Sequence, residues 1–340
     1  MSADLIVRKA GPAITVQDLG RPGHAAEGLS RGGAMDRLAL AEAAALLSLP
    51  APVAALEMGG LGGAFEVTAP MLVALTGAEM AASRDGERLR WNAAHLLQPG
   101  QVLTIGGARR GSYGYLTLAG GLRSAEFLGS RSAHLAAGIG RPVAAGDRLP
   151  LGDDPDPSAR PVALQVEDRS GGGTVRMIEG PQTGFFATKT LERFLDTRFR
   201  RAAAGNRQGI ALDHDGAPFA ADGASGLVSD PIIAGDIQLT GAGTPTVLMA
   251  ECQTIGGYPR IGTVLPCDLP LLAQAAPGDA LRFRMVTLDE ADRLLAAEAA
   301  IRRDLRRRVG PLVRDPRDIG DLLGYQLISG VTCGDDLERS

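Results

Sequence analysis

The chain has 340 residues, more than one ordinary small domain holds, and its 45% hydrophobic content supplies full cores although only 4% of residues are aromatic. A formal net charge of −4 argues against an electrostatic nucleic-acid footprint, no apolar run reaches membrane-spanning length, and Asp4 and Arg8 bracket a first apolar patch too short for a signal peptide. Cys252, Cys267 and Cys333 are odd in number and lack CxxC spacing, which argues against a disulfide framework or a zinc ribbon, and a cytoplasmic location is expected.

Leu5-Ile6-Val7 and Ala13-Ile14-Thr15-Val16 read as strands parted by the turn signal Gly11-Pro12. A polar, glycine-rich loop follows from Gln17 to Gly23. Over residues 35–49 apolar side chains crowd at helical spacing without Gly or Pro, so a helix is expected there. Beyond it come short segments parted by turns, at residues 64–68, 71–75, 102–105 and 113–118. With 46 Gly and 21 Pro in the chain, this pattern favours a sandwich or barrel over a helical bundle, with a core of Ala, Val, Leu and Ile. Pro99-Gly100-Gln101, Ala145-Gly146-Asp147 and Pro277-Gly278-Asp279 each read as a turn entering an alternating strand, with the Gly supplying positive φ.

Residues 152–173 form the best boundary, with Asp153-Asp154-Pro155-Asp156-Pro157 at one end, Ser170-Gly171-Gly172-Gly173 at the other and a strand candidate between. The expected organisation is a β-rich domain over residues 1–155, a boundary segment over 156–173, a second β-rich domain over 174–286, and a C-terminal helix and tail over 287–340. The second half holds a helix near 188–194, strands between 226 and 248, and a short helix at 268–275. Thr287-Leu288-Asp289-Glu290 is a capping box opening a long helix to about Val309. The run Arg302, Arg303, Arg306, Arg307, Arg308 reads as a solvated face complementing the dipole at that helix's end. The tail over 315–331, with its apolar stretch at 322–328, is expected to be ordered.

Common active-site motifs are missing from the sequence. There is no GxxxxGK[ST] loop and no HExxH; His24, His95, His134 and His214 are scattered, so no metal site is expected. Gly223-Ala224-Ser225-Gly226 has the wrong spacing for a nucleophile elbow. Lys9 and Lys189 are the two lysines, and neither has the setting of a Ser-Ser-Lys amidase base or a biotin attachment site.

Four segments carry a family resemblance. They are Thr15-Val16-Gln17-Asp18-Leu19-Gly20-Arg21-Pro22-Gly23; Ser30-Arg31-Gly32-Gly33-Ala34-Met35-Asp36 with Ala55-Leu56-Glu57; Leu118-Ala119-Gly120-Gly121 with Leu128-Gly129-Ser130-Arg131-Ser132; and Gln253-Thr254-Ile255-Gly256-Gly257-Tyr258-Pro259-Arg260-Ile261. Smaller echoes are Gly180-Pro181-Gln182, Asn206-Arg207-Gln208-Gly209 and Gly235-Asp236-Ile237-Gln238. In this order they resemble the allophanate hydrolase subunit 2 / biotin-dependent carboxyltransferase family, which includes the C-type subunit of 5-oxoprolinase and the KipI antagonist. The chain departs from it at Glu251-Cys252, where relatives commonly read Asp-Arg. Cys252, with no His near it in sequence, reads as a buried inert thiol.

The resemblance implies a mainly β fold with a few helices, in tandem cyclophilin-like β-barrel-type domains. It also implies a partner resembling subunit 1 (the B-type subunit of 5-oxoprolinase), a third 5-oxoprolinase subunit, and a small amide or lactam as substrate. ATP would be bound by the complex at an unfamiliar site or by the partner, and biotin is not expected to be attached covalently to this chain. The leading expectation is a subunit of an ATP-dependent 5-oxoprolinase, inactive alone. The alternatives are a biotin-dependent carboxyltransferase component acting on urea or a related amide, and a non-catalytic regulator relieving histidine-kinase inhibition.

Within those segments Asp36 and Gln253 are the candidate catalytic residues. Arg21, Arg131 and Arg207 are suited to clamp a carboxylate or phosphate. Gln17 and Gln182 offer amide donors and acceptors, and Tyr258 a ring and a hydroxyl. Gly33, Gly256 and Gly257 lack the Cβ that would keep a ligand from backbone N–H groups. The plainer alternatives are complementing the helix N-terminal dipole for Asp36, turn requirements for the glycines, a buried ring for Tyr258 and surface ion pairs for the arginines.

Overall fold

Alternating apolar residues lay the first half of the chain out as strands: β1 (Asp4–Lys9), β2 (Ile14–Gln17), β3 (Ala55–Gly59), β4 (Ala64–Val67), β5 (Met71–Arg84), β6 (Glu87–Arg88), β7 (Ala93–Leu97), β8 (Val102–Leu118), β9 (Arg148–Pro150) and β10 (Val162–Leu164). The second half adds β11 (Gly172–Ile178), β12 (Phe199–Gly205), β13 (Gly209–Asp213), β14 (Asp230–Pro231), β15 (Asp236–Leu239), β16 (Pro245–Leu248), β17 (Ile255–Gly256), β18 (Arg260–Val264), β19 (Ala280–Met285) and β20 (Val309–Pro311). This computed structural model describes residues 3–156, 159–221 and 227–312, and no helix among them is long and apolar enough to cross a membrane. The expected ordered tail at 315–331 and the Gly223–Gly226 segment lie outside the described residues.

The fold is mainly β with a few helices. β20-β10-β7-β5-β8-β4-β1-β9 form an antiparallel path that β2, β3 and β6 extend to eleven strands, and β11-β18-β15-β16-β13-β12-β19 close into a seven-stranded barrel. The barrel closes through the parallel pair β11 and β19. After the barrel the chain returns to the first sheet, where Val162 of β10 faces Pro311 of β20. The first sheet's core is aliphatic, built around Leu5, Val7, Ile14, Leu56, Leu75, Leu103 and Leu116. The barrel differs from the composition-based expectation: Phe194, Phe199, Phe219 and Phe283, half of the chain's eight phenylalanines, cluster in its core with Phe194 and Phe199 centroids 4.9 Å apart.

Residues 102–105 and 113–118, which read as separate strands, are the two ends of the 17-residue β8. The glycines between them do not end the strand. They accompany bulges against β5, where the register shifts between Gly77 and Glu79, Glu79 and Met80, and Met80 and Ala82. At Gly77, with φ +76°, a Cβ would lie 2.5 Å from the Tyr113 carbonyl oxygen, so only glycine lets the two strands close.

Among the described residues the α-helices are α1 (Arg37–Leu46), α2 (Thr188–Asp196), α3 (Leu269–Gln274) and α4 (Leu288–Asp304). Asp36 caps α1 by accepting the Ala39 N–H. Thr287 caps α4, but Glu290 reaches out to Arg284 at 2.8 Å instead of closing the capping box. Of α4 only Ala291 is buried, and Arg302 pairs along the helix with Glu298.

Candidate functional site

Where β2, β3 and β8 of the first sheet approach the β12–β13 hairpin of the barrel they leave a cleft of about 690 Å³. Its charged and polar walls include Glu57 from β3, Tyr113 from β8, Arg201 from β12, Arg207 from the hairpin turn, and Glu251 from the segment after β16. A strand that places Glu57 inward between Leu56 and Met58 must partner its carboxylate, because a buried unpaired charge is too costly to keep.

Arg207 supplies the pairing. Its Nη1 donates to Glu57, its Nε to Glu251 at 2.6 Å, and its Nη2 to the Gly33 carbonyl at 2.6 Å. The second Glu57 oxygen accepts the Tyr115 hydroxyl at 2.7 Å and the Met35 N–H at 2.8 Å, and the Tyr115 oxygen accepts the Asp36 N–H. One guanidinium thus ties two carboxylates to the loop that opens α1, across the junction of sheet and barrel. Gly33 is required there: with φ +82°, a Cβ would meet Gly20 N at 2.6 Å.

Asp36 does not line this cleft. It is fully buried, and besides capping α1 its carboxylate accepts from Arg169 Nε at 2.7 Å and Gln274 Nε2 at 2.8 Å. Arg169 in turn grips Glu42 with two parallel hydrogen bonds of 2.7 and 2.8 Å. Gln274 also accepts the Ser112 and Tyr113 N–H groups and donates to the Tyr113 carbonyl, fastening α3 to β8.

Gln17, Arg21 and Arg131 gather around a different hub. Asp18 accepts from the Ser130 hydroxyl at 2.6 Å, the Ser132 hydroxyl at 2.5 Å and the N–H groups of Gly20 and Arg131. Burial pushes its carboxyl up, but these four hydrogen bonds outweigh burial and hold it below the usual value. Arg21 is fully buried and donates to the carbonyls of Phe127 and Ser132. Gln17 is equally buried and donates to Thr15 Oγ1 and the Ala133 carbonyl. The Arg131 guanidinium turns to the Ser124 carbonyl and Glu126.

A third group lies at one wall of the barrel. Gln182 Oε1 accepts from Arg260 N–H and Nε at 3.1 and 3.3 Å, and Arg260 pairs with Asp230 and Asp236. Gln253, Gly257 and Tyr258 are exposed, Gly256 half-buried, and none of them lines the cleft. A Cβ on Gly256 would meet Gln238 Nε2 at 2.7 Å, so this glycine answers to packing.

One arrangement imitates a catalytic triad without its chemistry. His134 Nε2 lies 2.8 Å from Ser30 Oγ, and its Nδ1 lies 3.9 Å from Glu251. Nδ1, however, accepts the Ala137 N–H, which leaves the proton on Nε2 facing the serine. Burial also pushes the His134 pKa down, against the partial pull of Glu251. A ring that donates to the serine cannot take its proton. Cys252 is buried, and burial followed by the Asp236 charge pushes its thiol up to about 12, the state of an inert cysteine.

Of the residues chosen from sequence, Arg207 lines the cleft and Gly33 is bonded to it. Glu57, Glu251, Tyr113, Arg201 and Gln274 were not among them. The one local signal was a lone Glu inside the apolar run Ala55-Leu56-Glu57-Met58; nothing near Arg201 or Gln274 distinguishes them from their neighbours.

The family described as carboxyltransferase domain, subdomain A and B, matches residues 27–285. Over 294 residues the chain is 34% identical to the C-type subunit of 5-oxoprolinase from Escherichia coli (strain K12), covering 84% of this chain and 93% of that one. It is similar to the crystal structure of TTHA0988, with a TM-score of 0.74 and 30% identity over 83% of this chain, and it spans 56% of that longer chain. The crystal structure of the K. lactis Urea Amidolyase shares the fold with a TM-score of 0.80 and 21% identity, covering 93% of this chain and 21% of that one.

Proposed function

The chain belongs to the carboxyltransferase domain family, subdomain A and B, and on that premise we propose that it is the C-type subunit of a cytoplasmic, ATP-dependent 5-oxoprolinase complex. The carrying observation is the junction cleft floored by Glu57, Arg207 and Glu251, in a chain 34% identical along 93% of a C-type 5-oxoprolinase subunit. In this reading the lactam enters the cleft and its N–H faces the carboxylates of Glu57 and Glu251. Arg207 keeps both in place. The sequence-based candidates Asp36 and Gln253 lie off the cleft, so Glu57 and Glu251 take the central role here.

The sequence has no phosphate-binding loop, so the nucleotide is assigned to the assembled complex, where a subunit-1-like partner and a third subunit would finish the site. Biotin is not attached to this chain. The test is ATP turnover by this chain mixed with both other subunits, with and without 5-oxoproline. We expect 5-oxoproline-dependent turnover, lost in Glu57→Gln while the subunits still associate. Folded, associated subunits without turnover would overturn it. The family match over residues 27–285 favours a second reading, carboxyl transfer from a carboxybiotin carrier to urea, and the same mixture with such a carrier tests that.

A further inference from the structure

The charges around the cleft are unequally satisfied. Arg207 is fully engaged by Glu57, Glu251 and the Gly33 carbonyl. Arg201, on the same cleft, is 8% exposed, and among the described residues it pairs with no carboxylate. Its Nη1 donates to the Ala202 carbonyl at 3.1 Å, and its buried Nε has no hydrogen-bond partner among the described residues. Its neighbour Arg200 points outward and is held by Asp215 at 2.9 and 3.0 Å, whereas the cleft's own carboxylates, Glu57 and Glu251, are both engaged by Arg207 and leave Arg201 without a direct ion pair among the described residues. Gly205 also lines the cleft, and a Cβ there would stand 3.2 Å from Arg201 Nη2, so the glycine leaves the guanidinium edge uncovered.

A second group in the same cleft is also unused. The Tyr113 hydroxyl makes no hydrogen bond among the described residues. Burial, then the Glu57 charge, pushes its pKa up to about 12, so it remains a donor at any ordinary pH. A buried cation without a direct ion pair and an unused hydroxyl donor line one cleft whose carboxylates are already held by Arg207, and a planar guanidinium fits a ligand carboxylate best.

We propose that Arg201, assisted by the Tyr113 hydroxyl, is the subsite that takes the carboxylate of the substrate, so that the cleft selects amides or lactams bearing a carboxylate over neutral ones. This rests on the reading of the cleft as the substrate site. It divides the ligand between two ends: the carboxylate at Arg201, the amide N–H at Glu57 and Glu251. A neutral amide such as urea leaves the Arg201 end unfilled.

The test is calorimetric binding to the full chain of three probes: 5-oxoproline, 2-pyrrolidinone (the same ring without the carboxylate) and cyclopentanecarboxylate (the carboxylate without the lactam). We expect both carboxylates to bind more tightly than 2-pyrrolidinone. Arg201→Gln should weaken both by about tenfold to a hundredfold, the range for hydrogen bonds to a charged group, and leave 2-pyrrolidinone unchanged. Tyr113→Phe should weaken the carboxylates with no fall in Tm, because its hydroxyl has no partner to lose in the free protein; this variant serves if Arg201→Gln does not fold.

Equal binding of all three probes, no binding of either carboxylate, or equal losses for charged and neutral probes in Arg201→Gln would overturn the subsite. Cyclopentanecarboxylate binding that depends on Arg201, without 5-oxoproline turnover by the complex, would keep the subsite and remove the 5-oxoprolinase reading. Turnover of 5-oxoproline indifferent to Arg201→Gln would do the reverse.

Discussion

Glu57 is 1% exposed on a strand whose first four residues are all buried, and its two oxygens are taken by Arg207 on one side and Tyr115 and the Met35 N–H on the other. Removing one partner from such a network strands the rest in a low-dielectric interior. Glu57→Ala should therefore cost about 3–5 kcal/mol in urea unfolding; a loss below about 1 kcal/mol would mean that the pair contributes nothing to the fold. Histidine burial gives a second expectation at this scale. Burial pushes both His95 and His134 below the usual 6.5. Below pH 6.5 the unfolded chain takes up protons that the folded one refuses, so the unfolded state binds more protons and stability falls as pH falls, while above 6.5 the two states match. Urea midpoints should drop on acidification from pH 6.5, and His95→Gln with His134→Gln should flatten that slope.

Elements were legible where the signal was local. The turns at Gly100, Gly146 and Gly278 have φ of 86°, 91° and 92° with open space where a Cβ would stand, and Asp147 and Asp279 brace theirs by accepting the Ala144 and Ala276 N–H groups. The helix starts at Asp36 and Thr287 follow from capping chemistry. The glycines of β8 misled the reading because turn and bulge use the same residue, and pairing with β5 decides between them. Thermal or urea unfolding separates the two roles. Gly100→Ala should cost about 1–2 kcal/mol from the left-handed backbone alone. Gly77→Ala should cost roughly 2–5 kcal/mol, because the Tyr113 carbonyl cannot move aside. Equal losses would contradict the bulge argument.

At the scale of the whole molecule, sheet and barrel are joined by polar side chains of long sequence separation. Gln274 is 1% exposed and bonds Ser112, Tyr113 and Asp36, the last 238 residues away. Gln274→Ala leaves those buried groups unpaired, at about 1–3 kcal/mol, and weakens the seam more than either core. Two probes, fluorescence of Trp91 for the sheet and hydrogen exchange of the Phe194 cluster for the barrel, should unfold together in the native chain and separate in the variant. A coincident transition in the variant would show that the seam holds without Gln274.

The sequence by itself determined the family, the mainly β class, the Thr287 helix cap and the glycine turns, because each is written in neighbouring residues or in short ordered motifs. It also marked Arg207 and Gly33, through the segments in which they stand. Only the tertiary structure decided what those residues do. Glu57 and Arg207 lie 150 residues apart and meet because the barrel's hairpin folds onto the first sheet. The same closure leaves Arg201 without a carboxylate partner among the described residues while Arg200, one residue earlier, is paired outside the cleft. A side chain's partner, and so its charge balance, is a property of the packed junction that no local pattern encodes.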